Sequence, residues 1–136
     1  MGAFLGGDIL DISCTHLGTT YRYSPKANES GTVDHGERRT NDDNSQLTSN
    51  GQNIRQINNN RWSFDVPIAV EFITGYELNS LNKMSGSPVE GIWVINHISG
   101  AIWKGKGSPV GEIQSDSNTA TMTLKIAGAG RLEIIS

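Results

Sequence analysis

Long apolar runs are absent from this chain of 136 residues. No stretch approaches the roughly 18 consecutive apolar residues that a membrane-spanning helix needs, so we expect no membrane insertion. Residues 1–7 include no basic residue and only a short apolar run, so we expect no secretory signal peptide. Together these absences favour a soluble protein made in a reducing cytoplasm.

Cysteine and charge are also scarce. The one cysteine, Cys14, has no second cysteine with which to form an internal disulfide, and it occupies an apolar position of a strand pattern. We therefore predict a buried thiol and not a nucleophile. The net charge is only -3 and the cations are scattered, which excludes the basic surface that holds nucleic acid tightly. With 18% charged residues, the composition favours a surface that other subunits partly cover.

Residues in catalytic or metal-binding arrangements are not found. His16, His35 and His97 are far apart in the chain, and none has a cysteine or carboxylate at a metal-ligand spacing. No Gly-x-Ser-x-Gly motif is present to supply a serine nucleophile. We therefore predict no enzymatic activity, no metal and no cofactor. Two other classes stay open: a small hydrolase that uses His97 with a nearby acid, and a carbohydrate-binding β-sandwich that uses Trp93 or Trp103 as an aromatic platform.

The clearest pattern that the chain does have is the alternation of apolar and polar residues over residues 119–127. A period of two residues puts alternate side chains on opposite faces of a β-strand. The residues predicted to face the core are Ala120, Met122, Leu124 and Ile126, and those predicted to face water are Thr119, Thr121, Thr123 and Lys125. Because threonine is β-branched, this row favours an extended backbone.

The same alternation recurs elsewhere in the chain, and it is typical of antiparallel sheets with one buried and one solvated face. The further predicted core positions are Leu10, Ile12, Cys14, Trp62, Phe64, Val66, Leu132 and Ile134. The predicted solvent-facing residues of the first strand are Asp11, Ser13 and Thr15. We also predict that the first two strands, residues 8–17 and 19–23, pair as a hairpin.

The middle of the chain predicts one helix. Leu78, Leu81 and Met84 recur at spacings of three within residues 76–85, and Gly86 suits a C-terminal cap. Before the helix, Pro67 is expected to interrupt the strand that ends at Val66, because proline lacks the ladder donor. Residues 68–73 are predicted to be a second buried run.

Residues 26–60, which we call the polar segment, lack this alternation and are rich in asparagine. A connection of this length inside a compact domain is usually functional or disordered. One interpretation is a surface loop without fixed structure, and the other is an arm that becomes ordered against neighbouring copies. The residues that offer directional contacts to such copies are Arg38, Arg39, Asp42, Asp43 and Arg55.

The order of strand, strand, polar segment, strand, short helix and meander resembles the tail tube proteins of contractile-tailed bacteriophages. The likeness is carried by residues 61–66 (RWSFDV), 77–81 (ELNSL), 98–107 (ISGAIWKGKG) and 119–126 (TATMTLKI). It implies a mainly β fold, an antiparallel β-sandwich or barrel with one short flanking α-helix. It also implies a single domain of residues 1–136, with the polar segment inserted as a long loop or arm.

The resemblance implies a structural role. Six copies would form a ring, and stacked rings would form the hollow inner tube of a contractile tail, a conduit for genome ejection. The implied partners are other copies of the chain, the tail sheath, baseplate and tail terminator proteins, and DNA that passes without being held. The implied location is the virion tail, assembled in the bacterial host cytoplasm.

The same resemblance implies where assembly residues lie. Strands of all six subunits form a continuous inner barrel in such tubes, and closing a sheet across subunits removes its exposed edges. The candidate lumen-facing residues are Asp11, Ser13, Thr15, Thr119, Thr121, Thr123 and Lys125. The arm would cross to adjacent subunits or rings, so deleting residues 31–60 is expected to leave a foldable domain that cannot polymerise.

Overall fold

A computed structural model of the protein describes residues 4–41 and 47–135, and it has a mainly antiparallel β fold with one short helix. The predicted fold class is therefore confirmed. In chain order, the elements are β1 (Ile9–His16), β2 (Thr19–Tyr23), β3 (Thr32–Asp34), β4 (Glu37–Asn41), β5 (Gln56–Asn60), β6 (Trp62–Ala69), α1 (Tyr76–Ser85), β7 (Gly91–His97), β8 (Ile102–Pro109), β9 (Ser115–Asp116), β10 (Thr121–Gly128) and β11 (Glu133–Ile134).

Seven strands follow one hydrogen-bonded path, two more strands pair beside it, and together they form two layers around a shared core. The first layer has the order β2, β1, β7, β8, with β11 on β8, and the second layer has the order β3, β6, β10, with β9 on β10. The layers join where Ser108 and Pro109 of β8 pair with β10. Within the described residues the path does not close on itself, so the single chain is an open sandwich and not a barrel.

The predicted hairpin of β1 and β2 is confirmed, but the predicted burial of β1 was wrong at Leu10. The side chain of Leu10 is 58% exposed, whereas Ile9 is buried. The pairing register of β1 with β7 shifts between Ile9 and Asp11. The extra residue of this β-bulge turns Leu10 outward and brings Ile9 into the core. At the other end of the chain Leu132 is buried as predicted.

The predicted burial of Ile134 was also wrong, because β11 is only two residues long and lies on the edge of the first layer.

Strand β6 runs through Pro67, contrary to the prediction that proline would end it. The carbonyl of Pro67 accepts the N–H of Lys26, on the side of β6 away from β10. In an extended strand the N–H and C=O of one residue point to the same side. The N–H that proline lacks would therefore point towards Lys26 and not towards β10. The hydrogen bonds between β6 and β10 are not interrupted.

The predicted buried run of residues 68–73 holds only for its first part. Ile68 and Val70 are buried, but Phe72 is exposed and Ile73 is 95% exposed. The chain leaves β6 after Ala69 and turns, and the N–H of Gly75 donates to the carbonyl of Glu71 to close the turn. The turn lifts Phe72 and Ile73 off the core.

Two buried tryptophans, Trp62 and Trp93, pack against the core-facing side of the glycine-rich strand β8. The indole N–H of Trp62 donates to the carbonyl of Lys106 at 3.1 Å, and that of Trp93 donates to the carbonyl of Gly107 at 3.0 Å. A Cβ added at Gly105 would lie 2.8 Å from the Trp62 ring. Because these glycines have no side chain, the indoles pack directly on the strand and satisfy their polar groups there.

The helix α1 has the predicted bounds and packs its apolar face on the sandwich. Leu81 and Met84 are buried, and Leu78 is partly buried against the core. Gly86 caps the end through its N–H, which donates to the carbonyl of Asn82, in right-handed and not left-handed backbone geometry. No helix in the part of the chain that the structure describes has the length and apolar character that crossing a membrane would require.

Candidate assembly surfaces

Part of the polar segment is ordered as the strands β3, β4 and β5, so the interpretation of a loop without fixed structure does not hold for these residues. Strand β3 pairs with β6, and β4 pairs with β5. Asp34 lies opposite Ser63 and Glu37 lies opposite Asn60, so one register continues through both ladders. The two ladders are therefore the lower and upper halves of one two-stranded ribbon. We call the upper half, residues 37–60, the arm.

The arm begins later than the sequence analysis expected, because β3 belongs to the second layer. Val33 packs against the core, and a Cβ added at Gly31 would lie 3.0 Å from the ring of Phe64. Deleting residues 31–60 would therefore remove part of the sandwich together with the arm. A deletion that leaves the domain able to fold must therefore be confined to the arm, residues 37–60.

The ribbon bends where it leaves the sandwich. Gly36 and Glu37 have φ values of 76° and 70°, in the left-handed region. A Cβ at Gly36 would lie 2.5 Å from the backbone nitrogen of Trp62 and 2.7 Å from the carbonyl oxygen of Gly130. Only glycine fits this close approach of three backbone segments without a shift. The bend therefore depends on Gly36.

Hydrogen bonds hold the bend in place. The backbone N–H of Leu132 donates to the carbonyl of His35 at 3.0 Å, and the Nδ1 of His35 lies 3.1 Å from the carbonyl oxygen of Leu132. The carboxylate of Asp34 accepts the Arg39 guanidinium at 2.5 Å and the N–H of Gly36 at 2.9 Å. The Arg39 hydrogen bond, followed by that of Gly36, lowers the pKa of Asp34 below its ordinary value. The arm therefore leaves the sandwich from an anchored base.

Beyond its base the arm exposes apolar side chains. Leu47, Ile54 and Ile57 are all exposed, Ile57 by 56% of its surface. Ile57 lies opposite Thr40, and Arg38 lies two residues away from Thr40 on the same face of the hairpin. This face therefore combines an exposed aliphatic group with a cation.

The structure gives the predicted arm residues different partners. Arg39 pairs with Asp34 at the base, and the guanidinium of Arg55 donates to Thr40 Oγ1 at 3.2 Å. Arg38 lies in β4 and is exposed. Asp42 and Asp43 lie outside the described residues. The predicted arm residues that the structure describes therefore differ in role: Arg39 holds the base, Arg55 contacts Thr40, and Arg38 is exposed.

The two predicted polar rows lie on different layers. Asp11, Ser13 and Thr15 belong to β1 of the first layer, whereas Thr121, Thr123 and Lys125 belong to β10 of the second. Because the buried side chains of both layers face one core, the rows point away from each other on opposite outer faces. The two rows therefore do not form one continuous surface on a single copy of the chain, and the assignment of either row to a lumen stays a prediction.

Thr119 was predicted to start the strand, but it lies in the turn before β10. Ala120 has a φ of 54°, and its N–H donates to the carbonyl of Asp116. The carboxylate of Asp116 accepts the N–H groups of Asn118 and Thr119, which lower its pKa. The Thr119 hydroxyl lies 2.8 Å from that of Thr121, so it extends the row as a turn residue.

The two outer faces differ in charge and apolar content. Carboxylates outnumber cations around the β10 row, where the carboxylates are Asp65, Asp116, Glu29 and Glu112 and the cations are Lys125 and Lys26. Cations outnumber carboxylates around the β1 row, where the cations are Arg22, Lys104 and Lys106 and the carboxylates are Asp11 and Glu133. The first layer also exposes Ile92, which lies opposite Thr15.

Sequence reasoning missed a groove between α1 and the edge strand β2. Its volume is about 540 Å³, and its walls are mainly apolar. The rings of Tyr21 and Tyr76 lie 6.3 Å apart between centroids, and Glu71, Lys83 and Asn79 also line the groove. Tyr76, Asn79 and Lys83 recur at helical spacing, which is the signal that the sequence offered. Nothing in the sequence placed β2 against that stripe.

The residues of the two alternative functions have other partners. Trp93 is fully buried, so it offers no platform to a sugar, and Trp103 is partly buried with His35, Phe64 and His97 around its ring. His97 Nδ1 lies 2.7 Å from the hydroxyl of Ser99 in a local turn.

The hydrogen-bond partner of His97 Nδ1 is thus Ser99 and not an acid. Among residues 4–41 and 47–135, no three histidine, cysteine or acidic side chains are grouped closely enough to hold a metal ion.

Cys14 is buried, as predicted, with its Sγ 3.5 Å from the sulfur of Met84. Burial raises the pKa of the Cys14 thiol to about 12. The thiol therefore stays protonated at neutral pH and has the character of a core residue.

No protein-family model and no curated protein sequence matches the chain. The surfaces described above are therefore the basis on which its function is inferred.

Proposed function

We propose that this chain is the structural protein of a contractile phage tail tube. Copies of it polymerise as stacked hexameric rings into a hollow inner tube that conducts the genome during ejection. The observation that carries the proposal is the arm: a bent, anchored hairpin that presents apolar side chains away from the domain. The sequence resemblance supplies the sixfold ring and the stacking, and the antiparallel sandwich with one helix agrees with it.

The physical case for self-assembly begins with the stability of the arm. A two-stranded hairpin is only marginally stable when water surrounds it. Exposed aliphatic side chains such as Leu47, Ile54 and Ile57 are stabilised when another surface covers them, by about 25 cal/mol for each Å² removed from water. The bend at Gly36 fixes the direction in which the arm leaves the sandwich. A neighbouring copy that covers these side chains is therefore bound by the free energy of their burial. Repetition in every subunit multiplies that gain.

The second layer is the better candidate for the lumen wall. Its outer row of Thr121, Thr123 and Lys125 is small and polar, and the carboxylates around it outnumber the cations. A wall that must not hold DNA benefits from few cations, because counterion release by cations is what drives binding to phosphates. Ionised Asp116, with its lowered pKa, adds to the repulsion. On this proposal Asp11, Ser13 and Thr15 face away from the channel.

The remaining roles follow from this placement. The tail sheath would contact the outside of the tube, and the baseplate and tail terminator proteins would contact its two ends. DNA would pass through the lumen without being held. The protein would act in the virion tail after assembly in the bacterial host cytoplasm, and its role would be structural and not catalytic.

The test is electron microscopy of the purified protein at high concentration, with light scattering to follow its size. We expect hollow tubes with sixfold end views. The matched variant replaces residues 38–59 by Asn-Gly, which joins Glu37 to Asn60 by a two-residue turn that suits a hairpin. This variant keeps β3 and should fold but form no tubes.

Two outcomes would contradict the proposal. A wild-type protein that stays monomeric at high concentration would contradict a self-assembling tube. Long tubes formed by the arm-shortened variant would show that the arm is dispensable. Circular dichroism and urea unfolding of the variant would confirm that its sandwich is intact.

A further inference from the structure

The groove between α1 and β2 has the properties of a docking site for an aliphatic side chain with a cation beside it. The rings of Tyr21 and Tyr76 line it, and the charged residues that also line it are the carboxylate of Glu71 and the ammonium of Lys83. The hydroxyl of Tyr76 accepts the N–H of Arg22 at 3.0 Å, which fixes the ring against β2. The backbone N–H of Glu71 donates to the carboxylate of Glu77, so the turn that carries Glu71 is also held.

The arm presents the complementary set of groups. Ile57 is exposed, and Arg38 lies near it on the same face of the hairpin. An exposed isoleucine and a tyrosine-lined groove both lose unfavourable contact with water when they meet. A guanidinium opposite Glu71 matches the one carboxylate in the groove wall. The two surfaces of the chain therefore agree in apolar character, and Glu71 offers Arg38 an acceptor of opposite charge, although Lys83 also lines the groove.

We propose that the groove of one copy receives the arm of a neighbouring copy, with Ile57 against Tyr21 and Tyr76 and with Arg38 paired to Glu71. This inference rests on the proposed tube function, because it names the surface that receives the arm. It also assigns a role to the exposed turn of residues 71–75. Phe72 and Ile73 project from that turn and extend the apolar surface beyond the groove.

Charge reversal tests the pairing in the full-length protein. Arg38→Glu and Glu71→Lys should each raise the lowest concentration at which tubes form by about tenfold, equivalent to about 1.4 kcal/mol. The double variant restores opposite charges and should return this concentration to within about threefold of wild type, because the coupling is a property of the pair. Glu90→Lys, at an exposed position outside the groove, is the matched control and should assemble as wild type.

Cross-linking tests the contact by a second route. One preparation carries Ile57→Cys and the other carries Asn79→Cys, so a disulfide between the two introduced cysteines can form only between copies. The native Cys14 is buried and does not compete. We expect the mixed cross-link to form under oxidation at assembling concentrations. A control pair of Ile57→Cys and Glu90→Cys should give at least tenfold less.

The outcomes separate this inference from the proposed function. Wild-type tubes, combined with no rescue in the double variant and no mixed cross-link, would overturn the groove as the receiver and leave the tube role standing. Rescue together with the cross-link would support the groove. Failure of wild type to form tubes at high concentration would overturn both the tube role and this inference.

Discussion

The two halves of the ribbon, the β3–β6 pair and the β4–β5 pair, share one register, yet they have opposite surroundings. In the lower half, Val33 of β3 lies opposite Phe64 of β6, and both pack in the core. In the upper half, Thr40 of β4 lies opposite Ile57 of β5, and both are exposed. Backbone pairing is the same in the two halves. The difference shows that pairing alone does not decide which part of a ribbon stabilises the fold, because burial supplies most of the free energy.

The comparison predicts that the core end of the ribbon is far more sensitive to substitution than the arm. Trp62→Ala should reduce the free energy of unfolding by about 3–5 kcal/mol, because it removes a fully buried ring and its bond to Lys106. Ile57→Ala should change it by less than about 0.5 kcal/mol, as for other exposed sites. Urea unfolding followed by tryptophan fluorescence and circular dichroism measures both. Similar losses in the two variants would break the comparison.

The bend between the halves provides the next largest effect. Gly36→Ala should cost about 1–3 kcal/mol, because a non-glycine residue would be forced into a left-handed conformation and against the backbone of Trp62. Gly51→Ala is the matched control, since Gly51 also has a positive φ but its added Cβ would meet nothing within 4 Å. We expect the control to cost about 1 kcal/mol, the left-handed conformation alone, and less than Gly36→Ala. Thermal unfolding of the two variants side by side makes the measurement, and a larger loss at Gly51 would contradict the prediction.

Thiol labelling sharpens the contrast without removing any core side chain. At pH 8, Cys14 in the folded protein should react with an aromatic disulfide reagent more than about a thousandfold slower than a cysteine introduced by Ile57→Cys, since exposure of Cys14 requires unfolding. Absorbance of the released thiolate gives both rates. Comparable rates would show that the sandwich opens as readily as the arm.

Burial of the same thiol also predicts a pH dependence. Its pKa is raised from 9.0 to about 12 in the folded protein. The associated stability is therefore fully present below pH 9 and is lost as pH rises from about 9 towards 12, because only the unfolded state ionises readily there. Cys14→Ala should remove this loss, and urea unfolding at pH 8 and pH 10.5 would detect the difference.

The smallest effect is expected at the base of the arm. Arg39→Gln should raise the pKa of Asp34 towards its ordinary value, because the Arg39 hydrogen bond is the main cause of the lowered pKa. In the wild type the contribution of this carboxylate is present above its unfolded pKa and lost as pH falls through the folded value. The carboxylate is partly exposed, so global stability should change by less than about 0.5 kcal/mol. NMR titration of Asp34 measures the shift, and an unchanged pKa would contradict the assigned cause.

Local patterns predicted the elements whose environment repeats along the chain. Alternation correctly identified the buried rows of β6 and β10, and the helix was predicted with its observed bounds. The predicted burial of Leu10 was wrong because a bulge adds one residue to β1 and inverts the alternation of side chains beyond it. The predicted burial of Phe72 and Ile73 was wrong because an apolar run does not show where the chain turns away from the sheet. These errors have a common cause: they depend on how a neighbouring strand is positioned.

The candidate surfaces were predictable only in part, for the same reason. The sequence identified Arg38, Arg39 and Arg55 as arm residues and the β10 threonines as a polar row. It offered no sign that the β1 row lies on the opposite outer face, because that depends on how β7 and β8 separate β1 from β10. The Tyr21–Tyr76 groove likewise joins residues 55 positions apart in the chain.

By itself the sequence determined that this is a β protein with one short helix, a buried free thiol, and a long polar segment between its strands. Periodicity and composition are local quantities, and they are sufficient for those conclusions. Only the tertiary structure decided that the polar segment continues the β3–β6 ribbon, that Gly36 bends it, and that Leu47, Ile54 and Ile57 of the arm are exposed. The reason is that register between distant strands is chosen by their shared core, which no local pattern encodes.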